Sequence, residues 1–104
     1  MANVSDSQQN VSPFYFKSYD QIIGIASNLK ELASELKRLS LQNPKAVEYH
    51  LANGHITAWL QYVGEKDLAY DLQGVKTVEV ALLKVQRHME DQTTVQRMKS
   101  GRMH

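Results

Sequence analysis

Two histidines and one carboxylate lie close together in the middle of the chain and are the first residues that could do chemistry. Glu48, His50 and His55 carry the nitrogen and oxygen atoms that zinc and iron bind in proteins. Two ligands on one helix, however, are three or four residues apart, so that they share a face. His50 and His55 are five apart, and the Asn53–Gly54 pair falls between them. The spacing therefore favours a structural role for both histidines, with no metal and no cofactor.

Other catalytic patterns are missing from the sequence. It has no cysteine, no GxSxG nucleophile elbow and no glycine-rich phosphate loop. Two carboxylate pairs occur, at Glu65 with Asp67 and at Glu90 with Asp91, and both are typical of a solvated helix surface. We therefore predict that the protein is not an enzyme.

Positive charge is concentrated near the C-terminus. Residues 1–72 contain six basic and eight acidic side chains, whereas residues 73–104 contain six basic and three acidic ones. Basic side chains can bind phosphates without reading a base sequence. Non-specific, architectural binding of nucleic acid is therefore one alternative function, with these candidate phosphate contacts: Lys84, Arg87, Arg97, Lys99 and Arg102.

Elements that could position such residues begin after a polar N-terminal arm. Residues 1–12 have no apolar periodicity, which predicts a disordered arm. The aromatic run after Pro13 is typical of a short strand, and the isoleucine-rich stretch 22–27 predicts a second extended segment. Together they predict a short β-hairpin that uses Phe14, Phe16, Ile23 and Ile25.

Helices account for most of the remaining pattern. Asn28 and Glu31 form a capping box, in which the Glu31 side chain would reach back to the N–H of Asn28. Leucines then recur at helical spacing until Pro44, which ends the first helix and begins a second at about 44–52. A third helix at about 56–63 and a short fourth one before Gly74 complete a compact helical domain, residues 13–74. The fold class is mainly α: a small multi-helix bundle with an N-terminal hairpin.

The last helix is predicted to be the longest, from about 75 to 98, followed by a basic tail at 99–104. Its apolar residues step by three and four, as in a two-stranded coiled coil. This seam predicts a homodimer, although the same stripe could fold back on its own bundle. Its members are Val75, Val78, Leu82, Val85 and Met89.

Residues 14–72 resemble a family of small prokaryotic, largely archaeal, helical domains of unknown function. The resemblance is carried by the aromatic strand, by the helix start at Asn28–Leu29 and Glu31, by Leu68–Ala69, and by a structural joint: Tyr49, His50, Gly54, Trp59 and Gly64. Asn53 and His55 depart from the family pattern, which usually has a basic and an acidic residue there. The resemblance implies a fold and an important joint, but no activity.

A non-catalytic interaction or regulatory module is the function that these patterns favour. It would act as a homodimer through the last helix and would bind an unidentified protein partner. The second alternative, beside nucleic-acid binding, is a small-ligand or metal sensor at Tyr49, His50 and His55. No apolar run is long enough to span a membrane and no secretory signal is recognised, which together favour a cytoplasmic protein without a membrane partner.

Overall fold

The computed structural model describes the backbone of residues 12–102 and the side chains of residues 12–91. The arm predicted for residues 1–12 therefore lies outside the described residues except for Ser12. Two strands, β1 (Phe14–Ser18) and β2 (Gln21–Ala26), precede five helices in the described part of the chain. The helices are α1 (Leu29–Gln42), α2 (Pro44–Ala52), α3 (His55–Tyr62), α4 (Lys66–Asp71) and α5 (Val78–Arg102). The predicted class, mainly α with an N-terminal hairpin, is confirmed.

The hairpin is antiparallel, with Phe14 opposite Ala26 and Ser18 opposite Gln21. Its inner face carries Phe14 and Phe16, both buried, whereas Ile25 on the partner strand is about half exposed. Arg38 in α1 also binds the hairpin, because its Nη2 donates to the carbonyl oxygen of Ile23 at 2.6 Å. The hairpin therefore packs on the helices as one layer.

Helix starts follow the capping chemistry that the sequence predicts, with one difference. The Asn28 side chain accepts from the N–H of Glu31 at 2.8 Å. The carboxylate of Glu31 accepts from the N–H of Ser27 at 2.7 Å, one residue earlier than a capping box requires. Asn43 ends α1, and its side chain accepts from the N–H of Ala46, so that α2 begins with no intervening loop. Asn43 therefore forms the whole connection between α1 and α2.

The long C-terminal helix corrects the prediction made for it. It begins at Val78 rather than Val75, because Thr77 caps it: the Thr77 hydroxyl accepts from the N–H of Val80 at 3.4 Å. It also continues to Arg102, through most of the segment predicted as a separate tail, since no proline interrupts it. None of the described helices combines the length and the apolar character needed to cross a membrane.

The predicted dimer seam packs against its own chain. Val78 and Val85 are fully buried in the core, and Val75, Leu82 and Met89 pack against that core from its edge. Val78 and Val85 are therefore covered by the chain's own helices and are not available to a second copy. Burying the stripe within the monomer removes the same apolar surface from water as a dimer would.

Candidate functional site

The histidine joint is a tight turn between two helices. Asn53 and Gly54 separate α2 from α3, and Gly54 takes the left-handed conformation, with φ at 72°. The Asn53 side chain donates to the Tyr49 carbonyl oxygen at 2.8 Å, which satisfies an acceptor at the end of α2. The chain thus reverses within two residues, and this reversal brings the last turn of α2 beside the first residue of α3.

The turn places the two histidine rings in direct contact. Nδ1 of His50 lies 2.9 Å from Nδ1 of His55, although five residues separate them. His50 is 5% exposed and His55 is exposed, so the pair runs from the core to the surface. The sequence correctly indicated that the two side chains cannot share one helix face, but the turn gives them another way to meet.

Backbone groups of the hairpin hold the ring of His50. The N–H of Lys17 lies 2.9 Å from Nε2 of His50, in position to donate, and the Lys17 carbonyl oxygen lies 3.1 Å from the same nitrogen. Nε2 of the neutral ring can accept from the first or donate to the second, and Nδ1 takes the complementary role toward Nδ1 of His55. Nε2 of His55 has no hydrogen-bond partner within the described residues.

The environment of His50 favours the neutral ring. Burial lowers its pKa, and the nearby charges of His55 and Lys17 lower it further, against the effect of the Lys17 carbonyl oxygen, which can accept from the charged ring and raises the pKa. Three aromatic rings pack edge-on against it: Phe14 at 5.3 Å, Phe16 at 6.0 Å and Tyr49 at 5.6 Å between centroids. His50 is therefore a structural link between α2 and the hairpin.

A cavity of about 710 Å³ opens beside the histidine pair, and we name it the joint pocket. Its walls come from the end of β1 with the hairpin turn, from the beginning of α2, and from the two histidines with Tyr49. The lining residues are Lys17, Ser18, Tyr19, Asn43, Lys45, Ala46, Tyr49, His50 and His55. Cavities of this size commonly hold small molecules.

Most of this lining was missed by sequence reasoning. Tyr49, His50 and His55 were predicted as an alternative sensor site, and the structure brings them together. Lys17 and Tyr19 of the hairpin and Lys45 of α2 were not singled out, because nothing in their local sequence links them. Only the packing of the hairpin over the joint makes them neighbours.

A metal centre is not supported by the geometry. Glu48 does not line the joint pocket, and no group of three histidines, cysteines or carboxylates within the described residues could hold an ion. Within these residues the joint pocket therefore offers the two histidine nitrogens and no third ligand.

The other predicted residues lie elsewhere. Trp59 is buried, and its Nε1–H donates to the Ser12 carbonyl oxygen at 2.8 Å, which fastens the chain before β1 to α3. Of the candidate phosphate contacts, Lys84 is half-buried and Arg87 is exposed on α5. The side chains of Arg97, Lys99 and Arg102 lie outside the described residues. None of these five lines the joint pocket.

Comparison with known proteins adds no relative. No protein-family model, no curated protein and no solved structure matches this chain. The resemblance of residues 14–72 to a prokaryotic family therefore stays a prediction, and the joint pocket has to be interpreted through its own chemistry.

Proposed function

We propose that this protein is a non-catalytic binding module whose ligand site is the joint pocket. The observation that carries the proposal is the cavity of about 710 Å³ formed where the hairpin turn, the start of α2 and the histidine pair meet. Much of its wall is anchored: Asn43 caps α2, and His50 is bonded to the backbone of β1. A ligand would therefore enter a largely pre-formed site, which lowers the ordering cost of binding.

The chemistry of the pocket supports binding rather than catalysis. Within the described residues, no hydroxyl or carboxylate is hydrogen-bonded to either histidine, so neither ring has the partner that a nucleophile–base pair needs. The chain also has no cysteine. This proposal takes up the small-ligand alternative and leaves out its metal version. A cytoplasmic location belongs to the same proposal, and the missing cysteine is consistent with it.

A homodimer, if it forms, would need a surface other than the predicted seam. On α5, Val80 and Leu83 are 43% and 51% exposed, whereas Val78 and Val85 are buried. Within residues 78–91, two half-exposed side chains are too small a patch to define a stable interface, which usually buries about 800 Å² on each partner. The homodimer therefore stays a prediction, and binding in the joint pocket does not depend on it.

The test is a screen of small metabolites by protein-detected nuclear magnetic resonance. Pools of anionic, neutral and cationic compounds are added in turn to the labelled full chain, and amide shifts are followed. The proposal expects at least one pool to move the amides of Ser18, Lys45 and Tyr49 together, with the amide of Lys76 as an unaffected reference. Shifts confined to α5, or no shift from any pool, would refute it.

Zinc provides a separate control in this screen. Because the described residues offer no third ligand, stoichiometric zinc should leave the pocket amides and the Trp59 fluorescence unchanged. A saturable response at one equivalent would return the metal version of the sensor to consideration.

A further inference from the structure

The charged groups of the joint pocket point to the class of its ligand, because both are hydrogen-bond donors. Lys17 and Lys45 contribute ammonium groups on flexible stems, and Nε2 of His55 has no partner within the described residues, so that it can donate once it carries the hydrogen. The buried ring of His50 already uses both nitrogens within the fold. Such a set of donors is complementary to a ligand rich in acceptors.

The charge of the joint pocket also indicates a ligand that carries acceptors, because it is positive. Its lining contains two lysines and two histidines but no aspartate or glutamate. The acids closest to it along the chain, Asp20 and Glu48, do not line it. In addition, the charge of Lys17 is near enough to His50 to lower the pKa of that ring, which places positive charge beside the cavity. An anion would therefore be attracted, and a cation repelled.

Two tyrosines supply the apolar part of the same site. Tyr19, in the hairpin turn, is 99% exposed and adopts a left-handed φ of 57°, which is unfavourable for a residue with a bulky side chain. Its ring contributes almost nothing to the core. Tyr49 is 59% exposed and has its ring edge-on to both histidines. Exposed aromatic faces beside basic side chains are the usual means of holding a planar ring that carries phosphate.

We propose that the joint pocket binds a small phosphate-bearing molecule with a planar ring, of the mononucleotide type. Lys17, Lys45 and the Nε2–H of His55 bind the phosphate oxygens, and the rings of Tyr19 and Tyr49 contact the planar group. The cavity volume is within the range of about 300–1,000 Å³ that suits a ligand of this size. This inference rests on the proposed function and specifies its ligand class.

The first experiment titrates the full chain with adenosine monophosphate, inorganic phosphate and adenosine, at low salt and at moderate salt. Binding is followed by the amide shifts of the pocket residues. Adenosine monophosphate should bind most tightly, inorganic phosphate more weakly and adenosine most weakly, because only the first uses both the donors and the tyrosines. Its affinity should fall as salt rises, since the lysines are exposed to screening.

Matched variants then separate the two parts of the site. K17Q and K45Q should each weaken binding of adenosine monophosphate about fivefold, the loss expected for one exposed ion pair. K76Q removes an exposed lysine outside the pocket lining and should have no effect. Y19A should weaken adenosine monophosphate but not inorganic phosphate, whereas Y70A, which removes another exposed tyrosine outside the lining, should change neither.

Four results would overturn the ligand class. These are no shift with either phosphate compound at millimolar concentration, shifts outside the pocket, unchanged affinity in both lysine variants, or a single-stranded oligonucleotide that binds more tightly than the mononucleotide. If a neutral compound from the metabolite pools moves the pocket amides while the phosphates do not, the proposed function survives and this inference fails. If no compound of any class binds there, both fail.

Discussion

Replacing His50 with alanine should destabilise the fold far more than the same change at His55. His50 is 5% exposed and accepts a hydrogen bond from the N–H of Lys17, so the substitution removes both the ring and the acceptor. His55 is exposed and contributes one contact between ring nitrogens, which water can replace at the open pocket. The two substitutions therefore remove similar atoms from very different environments.

The size of the effect follows from the contacts. Leaving the Lys17 N–H without an acceptor costs about 1–3 kcal/mol. Removing a buried ring of this bulk, packed against Phe14 and Phe16, costs a further ~2 kcal/mol or more through lost contacts and a cavity. We therefore expect H50A to lower the free energy of unfolding by about 3–5 kcal/mol, and H55A by about 1 kcal/mol.

Urea unfolding followed by Trp59 fluorescence measures both values, because this single tryptophan is buried in the folded protein. H50Q is the informative intermediate: its side-chain oxygen can reach the place of Nε2 and accept from Lys17 again. It should recover about 1 kcal/mol relative to H50A. Equal losses for H50A and H55A, or a loss below about 1 kcal/mol for H50A, would refute the assignment of His50 as the link between α2 and β1.

Three further predictions concern pH, the last helix and the hairpin. Because burial lowers the pKa of His50 in the folded state, the unfolded chain takes up a proton first as the pH falls below about 6.5. The free energy of unfolding should therefore be highest above that pH and decrease below it, by at most about 1.4 kcal/mol per pH unit. Urea titrations at several pH values measure this decrease, which should be smaller in H50Q. V85A should lower the free energy of unfolding by about 1–3 kcal/mol in urea titrations without changing the mass measured by light scattering. L83A, on the exposed side of α5, should change neither quantity by much. A change in mass for V85A would instead support the predicted dimer seam. A methyl group at Gly24 would collide with the Glu35 carboxylate and come close to Arg38 and Phe16, so G24A should lower the thermal midpoint of the wild type. It should lower the midpoint less in an E35A background, where only the two weaker contacts remain, a comparison that thermal unfolding makes directly.

Local patterns were sufficient for most of the secondary structure. Asn28 and Asn43 can cap helices, and Pro44 suits the first position of a helix but not its interior, so α1 and α2 follow from neighbours in the chain. The Asn53–Gly54 turn follows in the same way, since glycine accepts the left-handed conformation at little cost. These features depend on the bonds that a residue makes within about four positions, and the sequence displays such bonds directly.

Sequence alone determined the class of the fold, the order of its elements and the position of the joint. Only the tertiary structure decided what the apolar stripe of α5 packs against. A second copy of the chain and the protein's own core would each remove the same apolar surface from water, so the sequence does not distinguish them. The tertiary structure also decided that His50 and His55 touch, and that Lys17, Tyr19 and Lys45 surround them. These neighbours come from separate elements, and the distances between them are set by how the hairpin packs on the helices rather than by spacing along the chain.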